Sequence, residues 1–222
     1  MSEKIQIAID GPASAGKSTV AKILAKDLNY IYVDTGAMYR ALTLAVIEAG
    51  VDPSDERGII KLLNTLKITF KQTKKGQLVF LNNRDITIAI RQNDVTNTVS
   101  EVSAHKDVRR ELVSRQQALA KDGGVVMDGR DIGTAVLPKA EVKIFLVASV
   151  TERAERRFRE NTRKGIPTEF EQLKAEIEAR DHKDSTRKNS PLVQAADGIK
   201  VDTTGLNIPQ VVNKIKEIIS KR

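Results

Sequence analysis

The sequence lacks several residue types, and each absence narrows the chemistry it can perform. It has 222 residues, with no cysteine and no tryptophan. Without cysteine, disulfides, iron–sulfur clusters and thiolate zinc sites are excluded. The two histidines, His105 and His182, are isolated in the sequence, which argues against a histidine metal site. Aromatic residues make up only 4%, so stacking platforms for nucleic-acid bases are scarce.

Long apolar runs are also missing, and none approaches the roughly 20 residues of a transmembrane helix. Residues 1–4 lead directly into a predicted strand, so we expect no signal peptide and a cytoplasmic protein. The length predicts one domain, or a core domain with insertions, large enough to bury a core. The net charge of +8 suits nucleic acid, an anionic membrane or small anionic substrates. We interpret the excess of positive charge as coming partly from solvated helix faces and partly from arginines directed at phosphates.

The most informative segment matches the phosphate-loop pattern G-x-x-x-x-G-K-[ST] at every fixed position. A short apolar strand precedes it and an apolar pattern at helical spacing follows it, as the chemistry requires. Backbone N–H groups at a helix start favour an anion, a lysine can reach the β- and γ-phosphates, and a hydroxyl can bind Mg²⁺. An ordinary glycine turn is the alternative. The predicted ATP-binding residues here are Gly11, Pro12, Ala13, Ser14, Ala15, Gly16, Lys17, Ser18 and Thr19.

The order of apolar segments predicts an α/β fold of the P-loop NTPase type. Core strands are predicted at residues 5–10, 30–33, 125–127, 142–148 and 199–202, separated by helices. This pattern favours a doubly wound five-stranded parallel sheet with helices on both faces. A predicted hairpin with a polar turn at Lys74-Lys75-Gly76 interrupts it, so residues of about 62–92 are interpreted as an inserted small lobe. Residues 86–90 are apolar but match neither pattern.

Polar residues follow the predicted strands at their carboxyl ends, where ligands bind in such sheets. Asp128 ends the third core strand, where P-loop proteins hold an acid near Mg²⁺, although a turn aspartate is the alternative. Ser18 and Asp128 are therefore the predicted metal ligands. Tyr39 and Arg40 follow the second strand, where a second substrate is expected, but Tyr39 could equally pack in the core.

A helix predicted from about Glu169 to Arg187 carries charge where apolar residues belong. Arg180, Asp184 and Arg187 continue the stripe begun by its apolar residues. Buried charge is costly unless it is paired or binds a ligand, so a site is indicated. The alternative is an Arg180–Asp184 pair on a surface extension.

The preceding segment, residues 151–159, is rich in arginine and ends at a Gly/Pro break. It predicts a short lid that brings arginines to transferring phosphates, with a solvated basic helix as the alternative. Arg153 and Arg157 are the predicted ATP-binding residues of this lid.

These motifs together resemble those of bacterial cytidylate (CMP) kinases, a family of nucleoside monophosphate kinases. The resemblance covers nearly the whole chain, through residues 9–19, 34–40, 128–134, 143–146, 180–181 and 190–192. It implies a core (1–36, 103–149 and 172–222), a monophosphate-binding part (37–102) and a lid (150–171). It also implies transfer of the ATP γ-phosphoryl group to CMP or dCMP, in pyrimidine nucleotide metabolism. Some relatives have a hydroxyl residue at position 13, where this chain has alanine.

By matching position, the resemblance implies residue roles. Lys17, Arg130 and Arg157 would be catalytic. The implied substrate ligands are Thr35, Arg109, Asp131 and Arg187 for the cytosine, Ser100, Arg180 and Asp184 for the sugar, and Arg40 and Arg130 for the acceptor phosphate. Mg²⁺ is the expected ion, and no nucleic-acid or membrane partner is expected. A monomer is expected, because no exposed apolar stripe demands a partner.

The sequence leaves other hypotheses about the function open. The acceptor could be UMP, AMP or a small alcohol such as shikimate. A GTPase would need an N-K-x-D motif, and the nearest run, 213–216, ends in lysine. A nucleic-acid-binding protein would suit the positive charge.

Overall fold

A computed structural model describes residues 4–73, 76–163 and 165–222. In chain order the elements are β1 (Gln6–Asp10), α1 (Lys17–Leu28), β2 (Ile31–Asp34), α2 (Thr35–Glu48), α3 (Glu56–Leu63), β3 (Ile68–Thr73), β4 (Gly76–Leu81), β5 (Arg84–Asp85), α4 (Asn93–Val102), α5 (Lys106–Leu119), β6 (Val125–Gly129), β7 (Val142–Val147), α6 (Val150–Arg163), α7 (Phe170–Thr186), β8 (Ile199–Asp202) and α8 (Ile208–Ser220). They form two compact units. The first comprises the chain up to Val33 and from Leu119 onward, and the second comprises Asp34–Ala118.

The first unit is built on a five-stranded parallel sheet with the order β2-β6-β1-β7-β8. Its strands are short apolar runs, and Ile7, Ile9, Val126 and Leu146 are completely buried. Register is set by pairs such as Ile7 with Val126 on one side of β1 and with Val142 on the other. Such strands are typical of a parallel sheet covered by helices. The predicted α/β class with five parallel core strands is therefore confirmed.

In its described residues, the second unit combines the helices α2 to α5 with an antiparallel sheet of order β3-β4-β5. The predicted hairpin is confirmed, because β3 and β4 pair antiparallel from Ile68 with Leu81 to Thr73 with Gly76. Two residues of its predicted turn, Lys74 and Lys75, lie outside the described residues. The apolar segment that matched neither pattern, residues 86–90, leads into a short 3₁₀ turn, Ala89–Arg91, which overlaps its last two residues.

Side-chain caps decide where several helices begin. The Asp34 carboxylate accepts a hydrogen bond from the Ala37 N–H and caps α2, which begins at Thr35. Ser149 caps α6, since its Oγ accepts a hydrogen bond from the Glu152 N–H at 3.2 Å. That helix ends at Arg163. The Gly/Pro break that follows includes Lys164, which lies outside the described residues.

Among the helices of the described ranges, none is both long enough and apolar enough to cross a bilayer.

Candidate active site

The phosphate loop lies between β1 and α1 in the first unit, as the sequence predicts. Gly11 has φ of 145°, and a Cβ there would lie 2.0 Å from the Leu146 carbonyl oxygen, so only glycine fits. Gly16, with φ of 92°, is the N-cap of α1 and provides no side-chain cap. The first backbone N–H groups of α1 are therefore not satisfied by a capping side chain, which suits an anion at this helix start.

Lys17, the first residue of α1, is buried beneath this loop. It is only 5% exposed, and its Nζ donates a hydrogen bond to the Pro12 carbonyl oxygen at 2.6 Å. Burial lowers the pKa of Lys17 below its ordinary value, and the nearby Arg130 charge acts in the same direction. The carboxylates around it, led by that of Asp128, oppose the shift. A bound polyphosphate would favour the charged ammonium in the same way.

Ser18 and Asp128, the predicted metal ligands, are brought together from elements 110 residues apart. Ser18 Oγ donates to Asp128 Oδ2 at 2.7 Å, and Asp128 is 4% exposed. Mg²⁺ prefers oxygen ligands and is commonly held by one or two carboxylates plus substrate phosphates. This hydroxyl–carboxylate pair fits that donor set. Within the described ranges, no group of three or more His, Cys, Asp or Glu side chains forms a metal cage.

The turn after β6 carries Arg130 and Asp131, and each contacts a residue at the end of α7 or just after it. Arg130 Nε donates to Asp184 Oδ2 at 2.8 Å. An Arg187 nitrogen lies 4.0 Å from an Asp131 carboxylate oxygen, and both side chains are buried. The charges on the apolar side of α7 are therefore not on a surface extension, since Asp184 is 5% exposed.

The electrostatics of Asp184 follow from these neighbours. Burial alone would raise the pKa of Asp184, but the positive charges of Arg130, Arg180 and Arg187 outweigh it and hold the pKa below the ordinary value. The carboxylate is thus ionised at neutral pH in a cluster of guanidinium groups. Such a cluster suits a polar, anionic ligand more than a structural core.

Asp10, at the end of β1, joins the phosphate loop to the Arg130–Asp131 turn. It is 5% exposed and accepts hydrogen bonds from the N–H groups of Ile132, at 2.8 Å, and Gly133, at 2.7 Å. Burial raises the pKa of Asp10 to about 6, although these two hydrogen bonds partly counter it. The sequence alone does not reveal this role of Asp10. The only signal was a polar residue at a strand's carboxyl end.

The two arginines predicted in the lid differ in their surroundings. Arg153 is 3% exposed, and its guanidinium donates to the carbonyl oxygens of Ala148 and of Ala13 in the phosphate loop, and pairs with Asp181. Arg157 is half-buried and lies 3.6 Å from Glu160. The alternative interpretation, a solvated basic helix, is therefore wrong for Arg153, because its buried guanidinium is bonded to the phosphate loop.

The second unit contains Thr35, Arg40, Ser100 and Arg109. Arg40 Nη2 donates to Asp34 Oδ2 at 3.0 Å, and among the described residues its buried Nε has no hydrogen-bond partner. Arg109 is 4% exposed, donates to the Ser103 carbonyl oxygen, and lies 5.3 Å from the centre of the Tyr39 ring. Thr35 is buried and Ser100 is half-buried.

Comparison with known proteins decides the family. The family described as "Cytidylate kinase" matches residues 7–221. The chain belongs to the cytidylate kinase family. Curated relatives with that name are similar over nearly their full length. One from Enterococcus faecalis is 63% identical over 219 residues (99% of this chain and 97% of the relative), and one from Geobacillus sp. is 58% identical over 222 residues (100% and 99%).

Solved structures add a comparison of fold alone. An uncharacterized protein from Eubacterium ventriosum has a TM-score of 0.54 at 14% identity, with 99% of each chain covered. This similarity supports the fold and carries no functional information.

Membership of the cytidylate kinase family confirms the predicted family and the predicted class of enzyme, a nucleotide-binding phosphotransferase that uses ATP. The roles of individual residues stay predictions. Tyr32, whose hydroxyl contacts Asp128, cannot be recognised from the sequence, because a tyrosine within an apolar strand indicates core packing.

Proposed function

We propose that this chain transfers the γ-phosphoryl group of ATP to CMP or dCMP, giving CDP or dCDP and ADP, in pyrimidine nucleotide metabolism. The observation that carries the choice of acceptor is the similarity over nearly the full chain to curated cytidylate kinases. The phosphate loop and the guanidinium cluster at the end of β6 agree with it. We also propose a cytoplasmic monomer that binds neither membranes nor nucleic acid, and a division into core, monophosphate-binding part and lid at the boundaries given above.

The reaction needs positioning and charge neutralisation more than acid–base chemistry. An oxygen of the acceptor phosphate attacks the γ-phosphorus, and the bond from that phosphorus to the β,γ-bridging oxygen breaks. No general base is required, because the acceptor phosphate is already anionic. Lys17, Arg130 and Arg157 are proposed to neutralise the phosphate oxygens, while the loop N–H groups orient the donor.

Ser18 and Asp128 would hold Mg²⁺, which when bound supplies further neutralisation of the donor phosphates. In the first unit, the proposed ligands are Asp131 and Arg187 for the cytosine, Arg180 and Asp184 for the sugar, and Arg130 for the acceptor phosphate. In the second unit they are Thr35 and Arg109 for the cytosine, Ser100 for the sugar and Arg40 for the acceptor phosphate. Arg153, held by the Ala13 carbonyl oxygen, is proposed to orient the loop around ATP.

The direct test is ADP release from Mg–ATP with a panel of acceptors: CMP, dCMP, UMP, AMP, GMP and shikimate. We expect saturable turnover with CMP and dCMP and at least tenfold lower kcat/KM with the others. Preferred turnover of another acceptor would overturn the proposed base ligands while leaving the phosphate site intact. Absence of turnover with every acceptor, from folded protein that binds ATP, would overturn the proposed function.

A nucleic-acid-binding function, which the net charge of +8 suggests, has little support from the arrangement of charges in the structure. On α6, the arginines at 156, 157 and 159 lie 2.9–3.7 Å from the glutamates at 152, 160 and 155 respectively. These i,i+3 and i,i+4 pairs reduce the positive charge that this helix presents.

A further inference from the structure

Tyr32, on β2, contacts the proposed metal ligand Asp128 at a different carboxylate oxygen from the one that Ser18 contacts. Tyr32 Oη donates a hydrogen bond to Asp128 Oδ1 at 2.7 Å, while Ser18 Oγ donates to Oδ2 at 2.7 Å. The two carboxylate oxygens thus each accept one hydroxyl donor. In the strand order β2-β6-β1, the strand of Asp128 lies next to β2, which carries Tyr32, and next to β1, which leads through the phosphate loop into α1 and Ser18.

The tyrosine hydroxyl is separable from the packing of its ring. Tyr32 is 4% exposed and its ring belongs to the apolar core of the first unit. Core packing alone would be served equally by phenylalanine. The extra hydroxyl of a tyrosine would only cost stability if it were buried without a partner. The short bond to Asp128 gives that hydroxyl a partner whose orientation matters to the site.

A carboxylate that binds a metal is commonly oriented by hydrogen bonds from residues that do not touch the metal. A carboxylate has about four lone-pair sites, so accepting one bond from Tyr32 leaves capacity for a cation. The tyrosine adds no charge, and therefore does not weaken the attraction of Asp128 for Mg²⁺ as a guanidinium in the same place would.

From this geometry we propose that Tyr32 is a positioning residue that holds the Asp128 carboxylate in the orientation required to bind Mg²⁺–ATP. The inference rests on the proposed function, because it concerns the metal-dependent part of ATP binding. It assigns Tyr32 no contact with ATP, with the acceptor or with the metal.

The test compares Tyr32→Phe with wild type in equilibrium binding of ATP by titration calorimetry, with Mg²⁺ and with EDTA. For Tyr32→Phe we expect about tenfold weaker binding of Mg²⁺–ATP and little change in the affinity for metal-free ATP. Loss of a hydrogen bond that orients a metal ligand typically weakens metal binding by about 10–100-fold. Tyr30→Phe is the matched control. It also removes a bonded hydroxyl, which accepts from the Ile5 N–H, but does not contact Asp128. We expect it to retain wild-type affinity for Mg²⁺–ATP.

Intrinsic fluorescence gives a second reading that does not depend on activity. The chain has three tyrosines and no tryptophan, so its emission reports on tyrosine alone. We expect Mg²⁺ added to the ATP complex to change this emission in wild type and in Tyr30→Phe, and the change to be lost in Tyr32→Phe. Wild-type affinity for Mg²⁺–ATP in Tyr32→Phe, or equal weakening with and without Mg²⁺, would overturn the proposal. Wild-type protein that binds ATP without any Mg²⁺ dependence would overturn it together with the proposed metal site, whereas CMP kinase activity is judged separately by the acceptor panel.

Discussion

Arg130 and Asp184 form an ion pair, with Arg130 Nε 2.8 Å from Asp184 Oδ2, although 54 residues separate them in the chain. The pair joins the turn after β6 to α7. It gives Asp184 a partner inside the molecule and leaves Arg130 with a defined orientation beside the phosphate loop, where Lys17 also lies close enough to sense its charge. The pair is thus a structural contact between two residues that we propose as substrate ligands.

Replacing Asp184 with Asn should destabilise the protein. It should also weaken the discrimination between CMP and dCMP, because Asp184 is a proposed ligand of the sugar. Removing one partner of a buried pair costs about 3–5 kcal/mol, and we expect about 2 kcal/mol here because the Arg130 side chain is 21% exposed. The pKa of Asp184 is depressed, so this stabilisation is present above the ordinary aspartate pKa and lost as pH falls below it. Urea unfolding of wild type and Asp184→Asn at several pH values measures this difference in stability. A difference that persists undiminished at pH 2–3 would contradict this assignment.

Replacing Lys17 with Met should reduce turnover without unfolding the protein. The methionine keeps the apolar stem, and burial already disfavours the charged form of Lys17. Loss of a charge aimed at the transition state typically lowers kcat by about 10²–10³. Lys26→Met removes an exposed charge from the same helix and should leave kcat unchanged. Equal kcat in the Lys17 variant and wild type would argue against its proposed role.

Asp10 should make folding stability fall as pH rises from about 4 to about 6. Its pKa is 3.8 ordinarily and about 6 when buried, so in this window the unfolded chain has released a proton that the folded chain retains. At about 1.4 kcal/mol per pKa unit, the effect is about 3 kcal/mol.

Urea unfolding of wild type and Asp10→Asn across this window measures the effect as a difference. Asp52→Asn is a useful contrast, because hydrogen bonds from Ser54 lower the pKa of Asp52 and give its contribution the opposite sign. Parallel curves for wild type and Asp10→Asn would show that Asp10 does not titrate as its burial indicates.

Arg153→Lys should weaken ATP binding and lower thermal stability together. Lysine keeps the charge but cannot donate in a planar fork to Ala13, Ala148 and Asp181 at once. We expect about tenfold higher KM for ATP, and a Tm lower by about 2–4 °C for each kcal/mol lost. Arg157→Lys, on the same helix but half-buried, should leave Tm unchanged. An unchanged KM and Tm in Arg153→Lys would show that the contact with the loop is dispensable.

Local patterns predicted the elements well because their causes are local. Apolar strands, helix periodicity and the glycines of the phosphate loop can all be recognised within about ten residues of sequence. The start of α2 depends on a hydrogen bond that the Ala37 N–H donates to the Asp34 carboxylate at the end of the preceding strand. The charges on the apolar side of α7 do lie on a buried face, since Asp184 is 5% exposed, and the binding site that they indicate stays a prediction. Their partners could not be read from the sequence.

The sequence by itself determined the phosphate loop, the parallel sheet and the family, because each depends on residue types at fixed short spacings. Only the tertiary structure decided which side chains meet. β6 lies between β2, which carries Tyr32, and β1, which leads into the helix of Ser18, and Asp128 contacts both residues, which are 96 and 110 residues away in sequence. That strand order results from many weak packing contacts summed over the whole core, and no single segment encodes it.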